Sequence, residues 1–171
     1  MKRTGIRLDY AFASLLVHSF FAGTKQLAFH VSEVPVTFGP WLHYPAGKTW
    51  LYSFYAQLPV DIVQAVIFAG TESLAVKIFG GTGSFEGQFA IYAFAFTPVN
   101  VLLILGTWLL SATGLSDSFP WADYFVAVLA WNLSIIALSV QVEQVIGAFR
   151  ASVYSAIGIV PTVLFALTYV R

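Results

Sequence analysis

The chain has 171 residues, of which 58% are hydrophobic and only 9% charged, and its mean hydropathy is +0.80. Soluble domains carry about 25% charged residues, so this composition excludes a water-soluble fold and points to one membrane domain over residues 1–171. Eight basic and eight acidic residues balance, leaving no footprint for nucleic acid, and the absence of cysteine removes disulfides, thiolate metal sites and a cysteine nucleophile.

Residues 1–9 form a basic end containing Lys2, Arg3 and Arg7. It looks like the charged start of a signal peptide, but no small-x-small cleavage site follows, so it is read as retained. The first apolar stretch, 10–31, exceeds the roughly 20 residues that cross the hydrocarbon, yet it carries His18, Lys25, Gln26 and His30. At 100° per residue Ala11, Ser14, His18, Ala22 and Lys25 share one face. Such a helix suits a span packed by its small and polar side against a bundle, which is the preferred reading. A helix lying flat among headgroups is the alternative.

Residues 32–49 hold Pro35, Pro40, Pro45, Gly39 and Gly47 and cannot form a continuous helix. Their aromatics Phe38, Trp41 and Tyr44, with Trp50 just beyond, suit a loop anchored in the headgroup belt. A second span is predicted over 50–79 with Pro59 near one end, and a third over 88–110 bent by Pro98. After a polar turn at 113–120, Trp121 and Tyr124 open a fourth span reaching 142. Residues 143–150 are a short connection or a continuation of that helix. A fifth span over 151–170 contains Pro161 and ends on Tyr169 and Arg171. Gly147, Ala151 and Ser155 recur every four positions, a small-xxx-small seam for close helix approach. The expected fold is an all-α polytopic transmembrane bundle of five spans, or four if the first helix is interfacial.

The second and third spans are joined by a glycine-rich reversal. Gly80, Gly81 and Gly83 can take positive φ, Ser84 offers a cap to orphan N–H groups, and Glu86 places negative charge near a helix start. The pattern Gly80-Gly81-x-Gly83-x-Phe85, followed by Tyr92 and by Pro98 thirteen residues after Phe85, resembles the Yip-domain family of prokaryotic membrane proteins. Trp131 and the small-residue segment from Ala148 also sit where that family would have them, so the likeness covers 48–170. The resemblance implies five spans and a part in membrane organisation or trafficking. Its eukaryotic relatives bind Rab-type GTPases through a long cytosolic N-terminal region that this sequence does not show, so GTPase binding is not carried over.

With five spans and the N-terminus inside, Lys2, Arg3, Arg7, Lys77 and Arg150 face the cytoplasm, and Lys25, Lys48 and Arg171 face out. With four spans the split is six to two. Either count favours a cytoplasmic N-terminus by the positive-inside rule, and a prokaryotic cytoplasmic membrane is the expected location.

The polar residues within the spans are the chemical candidates. Asp61 and Glu72 are eleven residues apart, three turns plus about 20°, so they share a face about 16 Å apart along the axis. Gln57, Gln64 and Phe68 lie on the same side. A carboxylate near the bilayer centre costs about 2.5–3.5 kcal/mol on insertion scales. One reading is a cation or proton relay along this stripe. The other, preferred here, is structural: Asp61 near the interface, and Glu72 bonded to a neighbouring helix or to Lys77, although an ideal helix aims Lys77 about 140° away. In the fourth span Asn132, Ser139 and Glu143 lie on one face with Gln141 and Gln144 nearby, as interhelical glue or as the far wall of a shared polar cavity. Asn100 can serve backbone groups freed by Pro98. His18, His30 and His43 match no metal-ligand spacing, the glycine turn lacks the Lys-Ser/Thr of a phosphate loop, and no nucleophile elbow occurs. No enzyme activity, cofactor or metal is expected. The partners are the bilayer and other membrane proteins or a second copy, with a small transporter or channel subunit as the competing function.

Overall fold

A computed structural model of the chain describes residues 8–31, 44–45, 47–113, 121–144 and 146–169, with the side chains of Ser111, 121–129, 142–144 and 166–169 outside the description. All regular structure among the described residues is α-helical: α1 Leu8–Val31, α2 Thr49–Ile78, α3 Phe85–Thr113, α4 Trp121–Gln144 and α5 Ala148–Tyr169. The protein is an all-α helical bundle, as its sequence predicts. The fourth helix ends at Gln144, Ile146 and Gly147 are non-helical and α5 opens at Ala148, so within 143–150 the helix does not run on unbroken and the connection is shorter than expected. The expected surface loop at 32–49 and the polar turn at 113–120 fall largely outside the described residues. Within the former, Tyr44 stacks on Tyr52 at 5.3 Å.

The reversal after α2 is built as a glycine cap. Phe79 is the last half-helical residue. Gly80 takes φ +80°, and the Gly80 and Gly81 N–H groups donate to the carbonyls of Lys77 and Val76 at 3.2 and 2.7 Å. These are the two bonds of a Schellman cap. Gly80 alone of the three glycines uses positive φ, so the freedom expected at Gly81 and Gly83 is not drawn upon. Ser84 Oγ accepts from the Gly87 N–H at 3.0 Å and caps α3, whose first residue, Phe85, has its ring 6.2 Å from that of Phe89.

Helices α2, α3, α4 and α5 form a ring in that order, and α1 lies outside it in the groove between α2 and α3. Phe12 meets Phe89 at 5.3 Å and Phe29 meets Trp50 at 5.1 Å, so α1 runs alongside α3 and antiparallel to α2 along its length. A helix lying flat across one end of the bundle would not do this. Its buried stripe is Ala11, Leu15, Ser19, Ala22 and Gly23. That is rotated from the expected face: Ser14 and His18 sit at its edge and Lys25 is half-buried. The reason is local. Gly23 admits the Phe54 ring, which would lie 3.1 Å from a Cβ there, and Ser14 is turned toward α3, donating to the Ala93 carbonyl at 3.1 Å.

The centre is aromatic and small. Phe68 (α2) packs on Tyr92 (α3) at 5.2 Å, and Tyr92 stacks on Phe96 at 4.4 Å. On α5, Ala151 and Ser155 are buried, whereas Gly147, just before the helix, is exposed with open space around it. The close approach to α2 falls instead at Gly158, where a Cβ would lie 3.0 Å from the Phe68 ring and 3.2 Å from Glu72 Cβ. Two of the three predicted seam positions are thus buried, and Gly158, three residues beyond Ser155, adds a close contact with α2 while Gly147 takes no part. Pro59, Pro98 and Pro161 all lie inside helices. Asn100 donates to the carbonyl of Phe96 at 2.8 Å, one turn back, and not to that of Phe94, the acceptor that Pro98 leaves without its usual N–H.

Candidate functional site

Asp61 lies twelve residues into α2, about 18 Å from its start, and is 3% exposed. It lies near the middle of the helix and not at either end. Ser19 Oγ donates to Oδ2 at 2.6 Å, Gln57 Nε2 donates to Oδ1 at 2.9 Å, and His18 Nε2 stands 3.7 Å from Oδ1. Consecutive residues of α1 thus straddle the carboxyl, while one turn of α2 supplies the third partner. Both oxygens are engaged, so Asp61 ties α1 to α2. A turn further on, Gln64 Oε1 accepts from the Tyr92 hydroxyl at 3.3 Å, which ties α2 to α3.

Glu72, on the same side of the helix and also buried, differs in its partners. It is fully buried, and neither carboxyl oxygen has a hydrogen-bond partner among the described residues. Lys77, the partner considered from sequence, is exposed. Glu72 faces α5 beside Gly158. The stripe Gln57, Asp61, Gln64, Phe68 and Glu72 is real as a face of α2, but its members meet α1, then α3, then α5, and do not line one channel wall.

Other polar groups share this condition. Gln88, at the start of α3, is fully buried with both ends of its amide unbonded, and Asn132 of α4 is buried with Oδ1 unbonded. Because the glycine cap turns α3 back along α2, Glu72 and Gln88 both lie within about 10 Å of the reversal. Ser155 and Thr162 of α5 spend their hydroxyls on the carbonyls of Ala151 and Gly158, each at 2.9 Å. Among the described residues α2 and α4 are not packed on each other; α3 and α5 stand between them. The two polar stripes, for which a meeting across the bundle is one reading, are thus on helices at opposite corners of the ring. Ser139 and Gln141 are half-buried, and the side chain of Glu143 lies outside the described residues.

The exterior, by contrast with these buried polar groups, is apolar. Phe20, Leu74, Leu102, Leu109 and Leu138 are each more than half exposed, while Asp61, Glu72, Gln88 and Asn132 are buried. Helices α2, α3 and α5 are long and apolar enough to cross a bilayer over Thr49–Ile78, Phe85–Leu110 and Ala148–Phe165. An apolar surface of that extent has no stable place in water. This is a membrane protein. No protein-family model, curated protein or solved structure matches the chain, and its chemistry is therefore read from these groups alone.

His18, Ser19, Gln88 and Tyr92 are the site residues that sequence reasoning did not assign. Ser19 lies on the same face as Leu15 and Ala22, which is a signal for burial but not for a partner 42 positions away. Gln88 stood at the predicted mouth of a span, where a glutamine needs no explanation.

Proposed function

We propose that this chain is a small carrier or channel subunit that binds a proton or small cation at Glu72, within a bundle that crosses the membrane five times with its N-terminus cytoplasmic. The observation that carries the reading is the contrast on one helix between Asp61, whose oxygens are both engaged, and Glu72, which is fully buried with neither oxygen bonded. Buried polar groups are overwhelmingly paired, and an intramembrane ionisable group facing the bundle interior without a structural task marks an ion or proton path. Gln88 supplies an unused amide oxygen and an unused N–H donor at the same end of the bundle. The five-span arrangement draws support from α1 lying alongside α2 and α3, and from Lys77 and Arg150 falling at the end where α1 begins.

Binding of other membrane proteins in the manner of the Yip-domain family is the second reading. It draws on the position of Gly80, Gly81 and Ser84 at the α2–α3 reversal and of Pro98 inside α3. Flux measurement separates the two. Purified protein in liposomes, driven by an imposed pH or potassium gradient, is expected to move protons or monovalent cations well above protein-free vesicles, and Glu72→Gln is expected to reduce that flux at least tenfold. A wild type that moves neither, while folded in the same vesicles, refutes the carrier reading and leaves the partner-binding one.

A further inference from the structure

At the end of the bundle that holds the glycine reversal, a groove of ≈ 250 Å³ opens between the end of α2 and the start of α5, lined by Phe79, Phe149, Arg150, Val153 and Tyr154. Its geometry is layered. Phe79 and Tyr154 stack at 5.8 Å with their planes 19° apart, giving a flat aromatic wall. Phe149 is 82% exposed and stands at the rim, and Val153, partly exposed, continues the apolar surface down α5. Arg150 is the single charged residue of the lining. It is exposed, and among the described residues no carboxylate pairs with it.

Arg150 and Phe79 both lie at helix ends, within about 3 Å of the α5 start and the α2 terminus along their axes, which is the height of headgroups for helices of this length. Lys77, also exposed, adds charge of the same sign at that end. A guanidinium above aromatic and aliphatic walls has the charge order of one occupant: a phosphate above, acyl chain below. Aromatic rings favour that interfacial zone, and the planar fork of arginine matches phosphate oxygens.

We propose that this groove is a binding site for an anionic phospholipid, its phosphate at Arg150 and its chain against Val153 and the Phe79–Tyr154 pair. The site is separate from Glu72 and does not depend on it.

The test is native mass spectrometry of the full chain, released from micelles containing equal phosphatidylglycerol and phosphatidylcholine, with melting temperature recorded for each variant. The wild type is expected to retain phosphatidylglycerol preferentially. Arg150→Gln should reduce that preference about fivefold, the factor corresponding to the ~1 kcal/mol per basic residue found at anionic membrane surfaces. Val153→Trp, which fills the groove and leaves the charge, should remove it to a similar degree with an unchanged melt, while Lys77→Gln should keep most of it. Equal losses from Lys77→Gln and Arg150→Gln would mean diffuse surface charge and overturn the proposal. Displacement of the lipid by millimolar inorganic phosphate would overturn it too, because a phosphate-only site needs no groove.

Discussion

Asp61 and Glu72 are the same kind of group on the same side of one helix, and their surroundings differ: the first is bonded through both oxygens and the second through neither. Each bond to Asp61 replaces hydration that the bilayer cannot supply. Interhelical side-chain bonds in membranes contribute about 0.6 kcal/mol on average and up to about 1.7, so Ser19→Ala should cost that much. Asp61→Ala leaves Ser19, Gln57 and His18 facing an absent acceptor and should cost about 3 kcal/mol. Glu72→Gln breaks no bond and should leave stability within about 0.5 kcal/mol of the wild type. Unfolding in mixed micelles of increasing SDS fraction measures all three. A loss at Glu72→Gln as large as that at Asp61→Ala would show that Glu72 is structural glue after all. The presence of the two carboxyls was legible in the sequence, and so was their shared face. The contrast in their bonding was not, because it depends on which neighbour stands at each height of α2, and a single sequence does not encode that juxtaposition in its periodicity.

The helices were the most legible feature. Long apolar runs bounded by glycine, proline and polar clusters leave few alternatives when backbone groups have no water to bond, and α2 begins and ends within a residue of expectation. The others are longer than predicted at one or both ends, because polar first turns such as Phe85–Gln88 remain helical once Ser84 caps them. Seams are harder to read. Small residues at Gly147, Ala151 and Ser155 announce close packing, and Ala151 and Ser155 are buried, yet the tight contact with Phe68 is at Gly158 while Gly147 meets nothing. Gly158→Val should therefore force α5 away from Phe68 and Glu72, at a cost of about 1–3 kcal/mol, the range for overpacked cores, whereas Gly147→Ala meets open space and should be neutral. Thermal melting in detergent distinguishes them. Equal effects at both positions would place the contact where the sequence pattern alone had put it.

At the scale of the whole molecule, an apolar core of small and aromatic residues encloses a few polar groups, and the outer surface is apolar as well. Without a hydrophobic drive between helices in lipid, cohesion comes from dispersion around Phe68, Tyr92 and Phe96, from close approach at Gly23 and Gly158, and from the bonds at Asp61 and Gln64. Composition alone announced the lipid environment. Helix order around the ring was not legible, because the polar stripes of α2 and α4 invited a direct pairing that α3 and α5 prevent. Among the described residues α2, α3 and α5 are long and apolar enough to cross; the proposed five crossings add α4 and α1, whose His18 and Lys25 weaken its apolar signal while its packing aligns it with the bundle. The proposed topology places the α2–α3 reversal and the start of α2 on opposite faces of the membrane. A cysteine-free chain allows this to be measured directly with single cysteines at Thr82 and Lys48 in sealed, right-side-out vesicles and a membrane-impermeant maleimide. The account predicts labelling of Lys48→Cys from outside, with Thr82→Cys labelled only after the vesicles are opened. Equal labelling of both from one side would contradict it.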